Sequence, residues 1–144
     1  MGIYLSEGMT QSFVVSGAPV KVGDVVHINS DGTISKADGS KGIIGVVEGA
    51  SFKGKYSGIP GTPYTQGIIE VGEKATVRMK GLVKVYVYSG SSTTAGKMVI
   101  PDSSNPGGVK DATGTEFTDI LLGNALDSVT GSASGAECRV LLMR

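Results

Sequence analysis

The stretch Ala75-Thr-Val-Arg-Met-Lys-Gly-Leu-Val-Lys-Val-Tyr-Val-Tyr88 decides the fold. Its odd positions, Ala75, Val77, Met79, Gly81, Val83, Val85 and Val87, are small or apolar. Its even positions, Thr76, Arg78, Lys80, Leu82, Lys84, Tyr86 and Tyr88, are largely polar or aromatic. Side chains on a strand alternate between faces, so this period puts one apolar face inward and one polar-aromatic face outward. Fourteen residues at about 3.3 Å each would span roughly 46 Å, longer than most strands. Gly81 is the expected bend, letting one segment turn a corner and serve two parts of a barrel.

Composition agrees with a β reading. The chain has 144 residues, enough for one domain, and 40% of them are hydrophobic. Its 23 glycines follow no Gly-X-Y period and instead punctuate short apolar runs. We expect an all-β fold, a small glycine-rich β-barrel with at most one short helix. A flexible arm over residues 1–10 precedes a single barrel domain over 11–144. Thirteen basic residues balance thirteen acidic ones, so no basic field for nucleic acid is present. No apolar run reaches the roughly 18 residues of a membrane span, and the first residues show neither the charged n-region nor the h-region of a signal peptide, so export by that route is not expected. Met1-Gly-Ile-Tyr-Leu-Ser6 fits the N-myristoylation pattern, but no basic patch follows as a second membrane signal. Neither a nucleic-acid nor a membrane partner is expected.

Around the central stretch, Asp31-Gly32 between two strand-like runs signals a tight hairpin. Ile43-Ile-Gly-Val-Val47 is a continuous apolar run, as in a strand buried on both faces. Residues 51–66 carry two prolines and read as a long loop. The second half loosely repeats the first. Gly23-Asp-Val-Val26 corresponds to Gly96-Lys-Met-Val99, Gly32-Thr-Ile-Ser-Lys-Ala37 to Gly108-Val-Lys-Asp-Ala112, and Ile43–Val47 to Leu121–Ala125. Two related hairpin-and-strand halves of one barrel are expected, with Asn124 to Val129 as the one place for a helical turn.

Motifs for chemistry fail one by one. Gly90-Ser-Ser-Thr-Thr-Ala-Gly96-Lys97-Met98 has one residue too many between its glycines for a phosphate loop, and Met98 stands where Mg²⁺ needs a hydroxyl. Arg78-Met79-Lys80-Gly81 lacks the second Met of a biotinyl or lipoyl carrier hairpin. His27 is the only histidine, lies within a strand, and accompanies no nucleophile motif. One His and one Cys cannot hold zinc, and Asn29-Ser-Asp-Gly32 lacks the remaining ligands of a Ca²⁺ loop. Cys138, in phase with Val140 and Leu142, reads as a small buried hydrophobe. The sequence predicts no enzyme, no catalytic residue, no metal and no cofactor.

The segments Val22-Gly-Asp-Val-Val26, Asp31-Gly-Thr-Ile34, Gly42-Ile-Ile-Gly-Val46, Leu122-Gly-Asn-Ala-Leu126, the Gly131 to Gly135 turn and Ala136-Glu-Cys-Arg-Val-Leu-Leu142 occur in an order that resembles the head decoration (capsid cement) proteins of tailed bacteriophages, including the lambda-type group. The likeness covers most of the chain, and the Ile59 to Tyr64 loop departs from it. The resemblance implies a tulip-like β-barrel made in the host cytoplasm. It would assemble as homotrimers at three-fold and quasi-three-fold sites on the outer capsid surface, binding the major capsid protein and stabilising the expanded head.

On that reading Ile3, Tyr4 and Leu5 of the arm are candidate capsid contacts, adding a strand to a capsid sheet edge. Lys53, Lys55 and Tyr56 of the loop, with Tyr86 and Tyr88, are candidate trimer or capsid contacts, tyrosine being suited to half-buried interfaces. For the two strand tyrosines, ordinary cross-strand packing is an equal alternative. Two other readings stay open: a trimeric β-domain of a viral fibre or adhesin that binds host glycans, and an enzyme on a trimeric barrel. The absence of Trp and the five Tyr count against the first, the missing motif cluster against the second.

Overall fold

The computed structural model describes residues 9–50, 67–116 and 118–143. Fourteen strands run through them. The first seven are β1 (Thr10–Val14), β2 (Val20–Lys21), β3 (Val25–Ile28), β4 (Ile34–Lys36), β5 (Ile43–Ala50), β6 (Ile68–Ile69) and β7 (Lys74–Arg78). The second seven are β8 (Gly81–Val87), β9 (Ser92–Thr93), β10 (Met98–Pro101), β11 (Val109–Asp111), β12 (Gly123–Ala125), β13 (Val129–Thr130) and β14 (Ala136–Leu142). The expected all-β class is what forms. The helical turn lies at Thr118–Ile120 rather than within 124–129, where Gly123–Ala125 is instead paired on both sides as a strand.

The central stretch divides at the expected place. β7 belongs to one five-stranded sheet and β8 to another, and Gly81 turns between them at φ 100°. That φ disfavours a side chain, which is why glycine stands there. Of the expected inward set, Ala75, Val77, Val83, Val85 and Val87 are buried, whereas Met79 packs partly buried against the first core and Gly81 is half-buried at the turn.

The two sheets have one topology written twice. The first runs β4-β3-β5-β7-β1 and the second β11-β10-β12-β14-β8, each antiparallel throughout. The short strands repeat the rule, β2 pairing β6 and β9 pairing β13. Every ladder therefore lies within its own half. Backbone bonds recur as well. Gly23 N donates to Val47 O, and Gly96 N to Ala125 O. Val47 N donates to Asp24 O, and Ala125 N to Lys97 O. β1 begins at Thr10, inside the stretch assigned to the arm. A parallel bridge from Val15 to Ile34 joins the two end strands of the first sheet, so that sheet rolls towards a small barrel.

The interior repeats residue for residue. Val15, Val20, Val26, Ile34, Val47, Ile69, Ala75 and Val77 form one core cluster. Their register counterparts in the second half are Val87, Thr93, Val99, Val109, Ala125, Val129, Cys138 and Val140. All of these are buried except Val129, which packs against the second core from a partly buried position. Cys138 is thus the counterpart of Ala75, and Thr93 Oγ1 lies 3.5 Å from its sulfur. The second core also takes in Val25, Ala37, Ile43 and Val46 from the first half. β5 is consequently buried on both faces, Val47 facing its own half and Val46 the other, as its unbroken apolar run predicts.

Candidate interaction surface

The residues that the sequence nominates and that lie among the described ones are Tyr86 on β8 and Tyr88 just past its end. Tyr86 and Tyr88 share a face and are half-buried, with ring centroids 6.4 Å apart. Lys21, at the end of β2, places Nζ 4.4 Å from the Tyr86 centroid and 5.4 Å from that of Tyr88, so a cation lies over both rings. Glycines make room for the rings. A Cβ on Gly23 would stand 2.5 Å from the Tyr86 ring, and one on Gly108 2.6 Å from the Tyr88 ring. The tyrosines therefore join the halves, Tyr86 reaching the β2–β3 turn. Ile3, Tyr4, Leu5, Lys53, Lys55 and Tyr56 lie outside the described residues. Sequence reading missed Lys21. A small residue opposite each ring was the available signal, and it becomes legible only once the register is known.

Beside the tyrosines, backbone bonds stitch the halves together. Val25 N donates to Gly107 O and Gly107 N to Ala37 O, at 2.9 and 3.0 Å. Asp24 is buried at this seam. Burial pushes its carboxyl above the usual carboxylate range, against the Lys21 amide and the Lys36 and Lys21 charges. A groove of about 170 Å³ opens further along the seam, floored by Val22, Val46 and Val83 and flanked by Leu82. The Arg78–Glu48 pair stands at its edge, with Arg78 Nε 2.8 Å from the carboxylate.

The outer face of the second sheet carries a straight register row, Met98–Asn124–Leu141–Leu82. Leu82 is 55% and Leu141 49% exposed. Lys84 pairs with Glu137 at 3.4 Å, and Arg139 grips Asp127 through two nitrogens at 2.7 and 3.1 Å. The Arg139 hydrogen bonds hold the Asp127 carboxyl down to about 2.

Among the described residues no group of three or more His, Cys, Asp or Glu side chains converges as a metal site. His27 is buried, with Nδ1 unpaired and 4.0 Å from Asp38. Burial pushes the Cys138 thiol up, away from a reactive thiolate.

No protein-family model matches the chain, and no curated protein matches it. Solved structures do. The chain is similar to a protein in the capsid of the myovirus phage XM1, at 20% identity and a TM-score of 0.58, over 93% of this chain and 82% of that one. It is also similar to the N base of the head fibre protein gp8.5 of bacteriophage phi29, at 13% identity and a TM-score of 0.50, over 94% and 93%. The likeness is one of fold. It extends through both halves, because either match spans more than nine-tenths of this chain.

Proposed function

We propose that the chain is a structural protein of a bacteriophage virion. It sits on the outer surface of the icosahedral head as homotrimers at three-fold and quasi-three-fold sites, and it binds the major capsid protein. The observation that carries this reading is the end-to-end fold likeness to a phage capsid protein and a phage head-fibre base. The decoration-protein resemblance of the sequence supports it independently. A protein that binds only the expanded shell stabilises that state by mass action, and three identical contacts per trimer turn modest affinity into avidity. On this reading Ile3, Tyr4 and Leu5 contact the shell, and Lys53, Lys55, Tyr56, Tyr86 and Tyr88 contribute to subunit or shell contacts.

The likeness to a head-fibre base favours a second reading, the base of a fibre that projects from the head. Copy number separates the two. Particles purified on a density gradient, with this chain quantified against the major shell protein by mass spectrometry, would give a ratio near one-to-one for a decoration protein. A small fraction of that ratio indicates a fibre base, and absence from particles refutes both. Deleting residues 1–8 should abolish head binding and leave the fold intact.

A further inference from the structure

The row Met98–Asn124–Leu141–Leu82 has a counterpart in the first half. There the register aligns Val25, Val46, Arg78 and Thr10 across β3, β5, β7 and β1. Val25 and Val46 are 0% and 2% exposed because the second half lies on them. They pack among the second core, Val83, Val85 and Val87 of β8 included; Leu82, Val83 and Lys84 border the groove beside Val46, and the Gly107 turn is bonded to Val25 and Ala37. The outer face of the first half thus meets the β8 side of the second. This is a head-to-tail contact between repeats, and on the corresponding face of the second half Leu82 and Leu141 stay about half exposed.

Two turns say what fits on it. At the internal seam Gly23 packs against Tyr86, and Gly107 packs against Asp24, whose Oδ1 is 2.8 Å from where a Gly107 Cβ would stand. Gly96 is the counterpart of Gly23; Gly32 is that of Gly107 rather than of Gly108, as the sequence comparison suggests, because the register sets Ile34 against Val109. Among the described residues neither Gly96 nor Gly32 has anything within 4 Å of a Cβ. Beside Gly96 stands exposed Lys97 in place of Asp24, and beside Gly32 stands exposed Asp31. The uncovered face offers a cation where the uncovered edge offers an anion.

We infer that the row Met98–Asn124–Leu141–Leu82 is a self-association face that takes the first half of a second copy. In that contact β1 lies along the row and the Asp31 turn meets Lys97, continuing the internal seam from chain to chain. Such a contact is heterologous and closes into a ring when its rotation allows. The copy number of three rests on the trimer reading above; the head-to-tail sense rests on the repeat.

Sedimentation velocity of the full chain over a concentration series tests this. The wild type should associate. Leu141→Asp should weaken association by roughly tenfold or more at unchanged melting temperature. Lys97→Glu should weaken it less, and Asp31→Lys in the same chain should restore it, as only a Lys97–Asp31 contact across copies predicts. A wild type that stays monomeric throughout, or a Leu141→Asp chain that associates as the wild type does, overturns the inference. Leu141→Asp chains that associate normally but no longer bind heads assign the row to the shell protein instead. Wild-type abundance on particles is read separately, so a monomer that coats heads sinks this inference and leaves the virion reading standing.

Discussion

The two halves of this chain share a topology and a core but differ in what covers their outer faces. In the first half, positions Val25 and Val46 are valines under the second half. In the second, the same register positions are Met98 and Asn124, with exposed Leu141 and Leu82 beyond them. The interiors follow the opposite pattern. Val26 answers Val99, Ile34 answers Val109 and Val77 answers Val140. A repeat keeps its inside because the inside folds each copy; its outside changes with what lies against it. The contrast separates residues needed to make a half from residues that join halves.

The harshest test of equivalence is at Gly45 and Gly123. A Cβ on Gly45 would stand 2.2 Å from the Arg78 carbonyl oxygen, and one on Gly123 2.0 Å from that of Leu141. Both obstacles are backbone of the neighbouring strand, which cannot rotate away. Gly45→Ala and Gly123→Ala should each cost more than the ~1–3 kcal/mol typical of an overpacked core, leaving little folded chain by circular dichroism. A variant that melts like the wild type at one site alone would show that the halves are not equivalent there.

The outer faces should then respond unequally. Val46→Asp places an unpaired charge in the shared core and should destabilise by on the order of 3–5 kcal/mol in urea unfolding. Asn124→Asp, at the counterpart, removes only a side-chain bond to Gly96 O and should cost about 0.5–1.5 kcal/mol. Equal losses would mean that the second face is covered as well.

Much of this was legible beforehand. The alternation of Ala75 to Tyr88, the bend at Gly81, the Asp31-Gly32 hairpin and the doubly buried β5 follow from side-chain period and turn chemistry, which are local. The repeat was visible where its residues coincide, as in Gly23 to Val26 against Gly96 to Val99. It was hidden at Val20/Thr93 and Ala75/Cys138, where different side chains fill equal space. It was hidden also at β2, β6, β9 and β13, two-residue strands too short to show a period. Lys21 over the tyrosines was out of reach because the contact spans 65 positions of chain, from Lys21 to Tyr86.

His27 distinguishes the halves by titration. Its register counterpart is Ile100, with Ser35 and Lys110 as the matching partners. Burial lowers the His27 pKa from 6.5, with Asp38 opposing and Lys41 adding to the shift. The unfolded chain therefore binds the proton more readily. The stability this gives is fully present above about pH 6.5 and falls as pH drops below it. Chemical denaturation between pH 7.5 and 5 should show that decline, and His27→Ile, copying the other half, should flatten it in that range. An unchanged slope would place the acid sensitivity elsewhere.

The smallest effect belongs to Asp127 and Arg139, a pair peculiar to the second half, since the counterpart of Arg139 on β7 is Thr76. The Asp127 carboxyl is held down to about 2 by hydrogen bonds from the Arg139 side chain and amide. Its depressed pKa means that the contribution is present above the ordinary carboxylate value of about 3.8 and is lost as pH falls towards 2. The Asp127 side chain is 31% exposed and that of Arg139 57%, so water and salt screen much of the attraction. Asp127→Asn should therefore shift the melting temperature only slightly at pH 7, and less still in 1 M salt. A loss as large as that of Val46→Asp would mean that the pair does more than dress a surface, and that the second half is held by a clasp the first half never needed.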